Sequence, residues 1–378
     1  MSFSVGIVGL PNVGKSTLFK ALTKKQVDIA AYPFTTISPN VGVVAVPDER
    51  LEKIAEIIRP EKATPTIIEF VDIAGLVKGA HKGEGLGNQF LSHIRGCDAI
   101  LEIVRDFKGE GIEHLTGEIN PQKDIEIVNT ELLMKDLETA ENLFKKMEKD
   151  IKAGDKKLIA KEELLRKIQG NLSQGKLISE LSLSTEEKEE LKEFQFLTLK
   201  PIIYVLNVAE NFKEGEGIKN LPPHLTMNLK VEEEISELSP EEREELGIKS
   251  RVNPHTEREQ PPTNVIGGGQ FNEVSSRYGV GVDQLILACY NILELITFYT
   301  VAGGKETRAW TLKKGQTILK AAGRVHSDFE EKFVRGEAVS WQDLISAGSW
   351  ARAREKGQIK TVGRDYLVQD GDVIEFKI

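Results

Sequence analysis

Through the first two-thirds of the chain, short β-branched and apolar runs alternate with stretches whose apolar residues recur every three or four positions. The runs cover 3–8, 41–46, 66–71, 99–104, 202–206 and 225–229. Repeated strand-then-helix periodicity predicts an α/β fold built on a doubly wound sheet. A long polar interruption at 120–198 is rich in Glu, Lys and Leu. Its apolar residues Leu132, Leu133, Leu137, Ile151, Leu158, Leu164, Leu165 and Ile168 fall at helical spacing. This predicts a helical hairpin inserted in the sheet domain, turning at Ala153-Gly154-Asp155.

Further on, 231–245 is acidic and reads as the start of a surface helix, and 251–270 is Pro/Gly-rich and reads as a loop or linker. The apolar neighbourhood 285–299 is broken by Asn291 and Glu294, the periodicity of an amphipathic helix and not of a bilayer span. After Thr297 the texture changes to short strands, at 308–312 and 365–376, with Gln369-Asp370-Gly371-Asp372 as hairpin chemistry. The expected division is a sheet domain at 1–296, carrying the 120–198 insertion, and a small α+β domain at 297–378.

Composition narrows the setting. With 378 residues, 40% of them hydrophobic and 29% charged, the chain can build two or three cores. Its two cysteines, Cys97 and Cys289, have no paired spacing, which favours a reducing compartment. A strand beginning near Met1 leaves no room for a targeting leader, so a cytoplasmic protein with no membrane partner is expected. The net charge of -9 argues against sequence-specific or naked DNA as a partner. Lys145 to Lys176 nevertheless holds 10 Lys/Arg against 5 Asp/Glu, either a solvated helix face or a contact for RNA or protein.

The strongest chemical signal is Gly9-Leu10-Pro11-Asn12-Val13-Gly14-Lys15-Ser16, which fits G-x-x-x-x-G-K-[ST] between an apolar strand and a helical segment. Asn12, Val13, Gly14, Lys15, Ser16 and Thr17 are expected around a triphosphate, with Lys15 at the β/γ-phosphates and the Ser16 hydroxyl on Mg²⁺. Thr36 stands where a switch loop would bring a second hydroxyl to Mg²⁺. Asp72-Ile73-Ala74-Gly75 follows a strand and suits an aspartate acting on Mg²⁺ through water and a glycine N–H meeting the γ-phosphate. The glycine-rich loop 78–87 reads as the second switch.

Asn207-Val208-Ala209-Glu210 occupies the place of the guanine-reading Asn-Lys-x-Asp. An aspartate there accepts from guanine N1–H and the 2-amino group, which adenine lacks, and Glu210 is one methylene too long for that position. Asn207 can pair with the N7 and 6-amino edge of adenine or merely cap a turn, and the backbone near Leu229 completes the base pocket. ATP is therefore expected to bind better than GTP. Leu76 replaces the water-orienting glutamine of many relatives, so hydrolysis needs another group. His114 is a catalytic candidate or an ordinary packing histidine, His81 a weaker one. Asn12 either ligates K⁺ or hydrogen-bonds within the loop.

These residues together resemble the YchF family, a branch of the Obg-related P-loop proteins, in GLPNVGKST, AAYPFTTISPN, FVDIAGLVKGAHKGEGLGNQFL and the Asn207-x-x-Glu210 pattern. The resemblance continues in Arg308-Ala309-Trp310, in His326-Ser327-Asp328-Phe329 and across 367–377. It implies that the insertion is a coiled coil and the C-terminal part a TGS domain of β-grasp fold. It further implies preference for ATP, ribosomal subunits or rRNA as partner, and His114 as the catalytic group. The chain departs from the family pattern across 251–277 and at Asn228-Leu229-Lys230. A nucleotide-switched ATPase is the leading expectation, with an Obg-class GTPase or a ribosome-binding scaffold of incidental turnover as alternatives.

Overall fold

The computed structural model describes residues 2–27, 32, 38–73, 86–108, 117–151, 156–210, 212, 221–246, 281–302 and 305–378. Thr36, Gly75, Leu76, His81, His114, the hairpin turn at 153–155 and the segment 251–277 lie outside them. In chain order the strands are β1 (Ser4–Val8), β2 (Val41–Ala45), β3 (Lys62–Thr64), β4 (Ile67–Asp72), β5 (Ala99–Asp106), β6 (Ile202–Val208) and β7 (His224–Met227). Then come β8 (Leu295–Ala302), β9 (Glu306–Lys313), β10 (Arg335–Ser340), β11 (Lys360–Val362) and β12 (Asp372–Lys377).

The first sheet has the order β2-β4-β1-β5-β6-β7, parallel except for β2 against β4. Helices cover both faces, so the central strands are buried on both sides and read as continuous apolar runs. Val5, Ile7, Phe70, Ile100, Leu101 and Val205 belong to one core with Leu18 and Leu22 of the helix Lys15–Thr23 and Leu285 of the helix Val282–Ile292.

The expected insertion is the helices Pro121–Ile151 and Lys156–Leu172, joined by a core that includes Leu133, Ala140, Leu164, Leu165 and Ile168. Its root is tied to the approach to β6 by the buried Asp136 carboxylate. That group accepts from Leu197 N (2.9 Å), Thr198 N (2.8 Å) and Thr198 Oγ1 (2.7 Å).

The second sheet has the order β11-β10-β12-β8-β9-β3. Its last strand comes from the N-terminal part of the chain: β3 runs parallel to β9, with Thr64 opposite Arg308. The preceding helix Glu49–Ile58 is also committed there, burying Leu51 and Ile54 against Tyr299, Val339 and Leu344. Arg50 fastens it, bonding Asp48 with Nε and Nη2 (2.7 Å each) and Asp370 with Nη1 (2.8 Å).

Three local readings are corrected. The 285–299 stretch is not one helix: it ends at Ile292, Glu294 adopts a left-handed φ of 54°, and the β-branched and aromatic residues from Leu295 form β8. The strand expected at 225–229 stops at Met227, because the Asn228 side chain accepts from Val231 N and caps a helix starting at Leu229. Gln369-Asp370-Gly371-Asp372 joins no hairpin. The Asp372 carboxylate accepts from Gln369 N (2.8 Å) and the Tyr366 hydroxyl (2.9 Å), and β12 then pairs with β10 and β8.

Candidate functional site

The loop 9–14 leaves the C-terminal end of β1, the usual ligand edge of a parallel sheet. Gly9 has φ 144° and Gly14 φ 108°, and Asn12 is also left-handed at 61°. A Cβ on Gly9 would lie 2.5 Å from the Ile103 carbonyl oxygen, so the loop passes too close to β5 for any side chain. The helix Lys15–Thr23 then starts on Gly14 with no side-chain cap and no acidic residue in its first turn. Its leading N–H groups and the positive end of its dipole are thus left for an anion.

Lys15 curls back over the loop, its Nζ donating to the carbonyls of Leu10 (2.8 Å) and Gly9 (3.1 Å). An ammonium has three donors, so these two bonds orient it and leave one for a further acceptor. Burial lowers its pKa from 10.5 to about 8, an effect opposed by Asp72. Asp72 ends β4, directly opposite Ile7 of β1, and its backbone N–H donates to Asn40 O at 2.8 Å. Burial pushes the Asp72 carboxyl up and nearby Lys15 pulls it down. Ser16 is exposed at the start of the helix. The Ser16 hydroxyl and the Asp72 carboxylate are oxygen donors suited to a hard divalent cation, and the Lys15 ammonium suits a polyanion beside it.

On the far side of the loop, Asn207 at the end of β6 is 6% exposed. Its Nδ2 donates to Val13 O (2.9 Å) and its Oδ1 accepts from Leu229 N (3.2 Å). The side chain thus clamps the phosphate loop to the segment after β7, a role the sequence reading did not assign. Among the described residues, one amide N–H and one lone pair of this side chain remain unused. Val208 is buried, Glu210 is exposed two residues beyond β6, and the Leu229 side chain is fully buried beneath the loop.

A second missed residue is Glu232. It is buried on the helix Leu229–Glu237 and accepts from Val282 N at 3.1 Å, which fixes that helix to the start of Val282–Ile292. Ion pairs Lys20–Glu233 (3.2 Å), from the phosphate-loop helix, and Lys25–Asp283, from just past its end, tie both to that part of the chain. The only sequence signal was an acidic residue one turn after the Asn228 cap, indistinguishable from the surrounding surface glutamates.

The protein named Ribosome-binding ATPase YchF of Bacillus subtilis (strain 168) is 42% identical over 100% of this chain and 99% of its own length. The chain belongs to the YchF family. The Ribosome-binding ATPase YchF of Escherichia coli O157:H7 is 43% identical, again over 100% of this chain and 99% of its own. The solved structure titled "Structure of the Schizosaccharomyces pombe YchF GTPase" superposes with a TM-score of 0.78 at 32% identity, covering 100% of this chain and 98% of that one. Residues 4–142 match the family described as 50S ribosome-binding GTPase. Residues 295–378 match the YchF-GTPase C-terminal family, described as a protein of unknown function (DUF933). The second match begins at the first residue of β8. As in other YchF proteins, a P-loop α/β domain is joined to a C-terminal unit, and among the described residues no helix is long and apolar enough to cross a membrane.

Proposed function

We propose that this chain is a cytoplasmic, nucleotide-switched ATPase that binds ribosomal subunits through contacts governed by its nucleotide state. The observation that carries the enzymatic reading is the desolvated Lys15 ammonium, oriented by two loop carbonyls beside Asp72 and an uncapped helix start. Ribosome binding rests on the names of the full-length relatives. In this reading 1–296, with its inserted hairpin at 120–198, is the catalytic part and 297–378 a TGS domain of β-grasp fold.

Asn12, Val13, Gly14, Lys15, Ser16 and Thr17 hold the phosphates, and Gly75 meets the γ-phosphate. Ser16 and Thr36 would hold Mg²⁺, with Asp72 acting through water, and the ion would supply positive charge to offset that of the phosphates. Lys15 stabilises negative charge as the terminal bond breaks, and His114 orients the attacking water in place of the glutamine that Leu76 replaces. Asn12 is exposed and is the residue assigned to K⁺ if a monovalent ion assists. Asn207, Val208, Glu210 and the Leu229 backbone read the base. The second N–H and lone pair of Asn207 match the N7 and 6-amino edge of adenine, and Glu210, one methylene longer than aspartate, suits guanine poorly.

Displacement of a fluorescent ADP analogue by ATP and GTP, with Mg²⁺ present, tests the base preference. ATP is expected to compete about tenfold better, a difference of ~1.4 kcal/mol. Equal competition returns the site to the GTPase reading, and ribosome pelleting that ignores ATP, ADP and empty states returns it to a scaffold.

Binding should also carry a proton signature. With its pKa at about 8, Lys15 is roughly half charged at pH 8 in the empty site. A bound polyanion favours the charged form, so binding at pH 8 takes up about half a proton and binding at pH 6 almost none. Calorimetry in two buffers of different ionisation enthalpy measures this. An equal uptake in Lys15→Arg, which stays charged throughout, would remove Lys15 as its source.

A further inference from the structure

Between β2 and β4 the chain leaves the nucleotide sheet, joins the second sheet and returns. The two strands form an antiparallel ribbon, Val41 opposite Val71 through Ala45 opposite Ile67. At one end Asp72 lies beside Lys15. At the other, Val46 N donates to Thr66 O at 2.9 Å, and the intervening chain supplies the helix Glu49–Ile58 and β3 to the second sheet. A ribbon of this length spans about 16 Å. The phosphate site and the second sheet therefore hold opposite ends of one short, stiff element.

Tyr32, in the connection from the phosphate-loop helix to β2, closes this junction. It is 9% exposed, and its hydroxyl donates to Pro65 O at 2.8 Å, between β3 and β4. The Arg308 guanidinium of β9 lies 5.6 Å from its ring centroid and 4.4 Å from that of Trp310. Thr64, opposite Arg308, donates to Glu306 Oε1 at 2.7 Å, and Arg308 Nη1 is 4.0 Å from the same oxygen. Burial pushes the Tyr32 phenol up to about 12, against the pull of Arg308, so it remains a proton donor at ordinary pH. The buried hydroxyls of Thr66 and Thr307, on the two sides of the junction, have no hydrogen-bond partner among the described residues.

We propose that Tyr32 and Arg308 are positioning residues that couple the second sheet to the phosphate site through the β2–β4 ribbon, so that β3 and β9 respond to the nucleotide bound. This rests on the nucleotide-switch reading above. A side chain from the switch connection, a cation from the C-terminal sheet and a carbonyl at the ribbon's far end meet at one half-buried point. A shift of Asp72 or of the connection changes the tension on that point, and a partner pressing on the second sheet changes Asp72 in return, since coupling is reciprocal.

Amide hydrogen exchange of the full chain tests it, with Mg²⁺ and either ADP or a slowly hydrolysed ATP analogue, read in peptides covering 60–66 and 305–313. In wild type the two states are expected to differ about fivefold in exchange rate in both peptides. In Tyr32→Ala and in Arg308→Ala the difference should fall below about twofold while affinity for both nucleotides stays within about threefold. Tyr32→Phe, which keeps the ring under the guanidinium, should restore at least half of it. State differences that survive both alanine variants overturn the coupling, as does a wild type that binds both nucleotides with identical exchange. If wild type binds neither nucleotide, the nucleotide-switch reading itself falls and the coupling with it.

Discussion

Lys15→Met is expected to abolish nearly all hydrolysis and yet to stabilise the nucleotide-free protein. The loss follows from the site: Lys15 places an oriented ammonium at the loop, and removing such a charge costs about 10²- to 10³-fold in turnover. The gain follows from the pKa. A lysine held at about 8 in the fold and at 10.5 when unfolded is destabilising whenever it is charged. That cost is fully present below pH 8 and is relieved as pH rises from about 8 to 10.5. It is on the order of 2 kcal/mol after allowance for partial exposure. Thermal unfolding without nucleotide should therefore place Lys15→Met a few degrees above wild type at pH 7, with the gap closing by pH 10.5. A variant less stable than wild type at pH 7 would show that the two carbonyl bonds outweigh desolvation.

Gly14→Ala is expected to lose both binding and stability. At φ 108° an L-residue is strained, and the added Cβ would stand 2.5 Å from Asn207 Nδ2 and 3.2 Å from Leu229 Cδ1. Asn207 cannot yield without releasing Val13 O and Leu229 N, the bonds that clamp the loop to the segment after β7. The expected destabilisation is about 2–4 kcal/mol, with nucleotide affinity reduced at least about 100-fold. Both are measurable by denaturant unfolding and by titration with a fluorescent nucleotide. Wild-type affinity would mean that Asn207 does not sit against the loop. The paired variants separate two uses of one loop: Lys15 supplies charge at the expense of stability, and Gly14 supplies a path that both functions need.

The sheet around the site was legible because its strands are buried on both faces and its phosphate loop has a nearly fixed spacing between Gly9 and Ser16. Local chemistry failed where a residue's partner lies far away in the chain. Lys62–Thr64 is too short and polar to read as a strand, and only pairing with β9 makes it one. Leu295 and its neighbours continue the apolar rhythm of the preceding helix, so the break at Glu294 was invisible until its backbone was seen to turn left-handed. Asn207 was read for its outward capacity to meet a base. Its inward bonds to Val13 and Leu229 depend on the approach of two other loops, which no spacing in its own segment encodes. Glu210 was chosen by its offset from Asn207, and it remains an exposed side chain beyond the strand end.

The origin of β3 and the helix Glu49–Ile58 also bears on how the polypeptide acquires its shape during synthesis. The strands they complete are made much later in translation, so Leu51 and Ile54 emerge with no surface to cover them. The first sheet can gather around β1 and β5 early, but one of its own connections must wait for β8 and the strands after it. Until then this connection is an apolar segment open to chaperones or to wrong pairing.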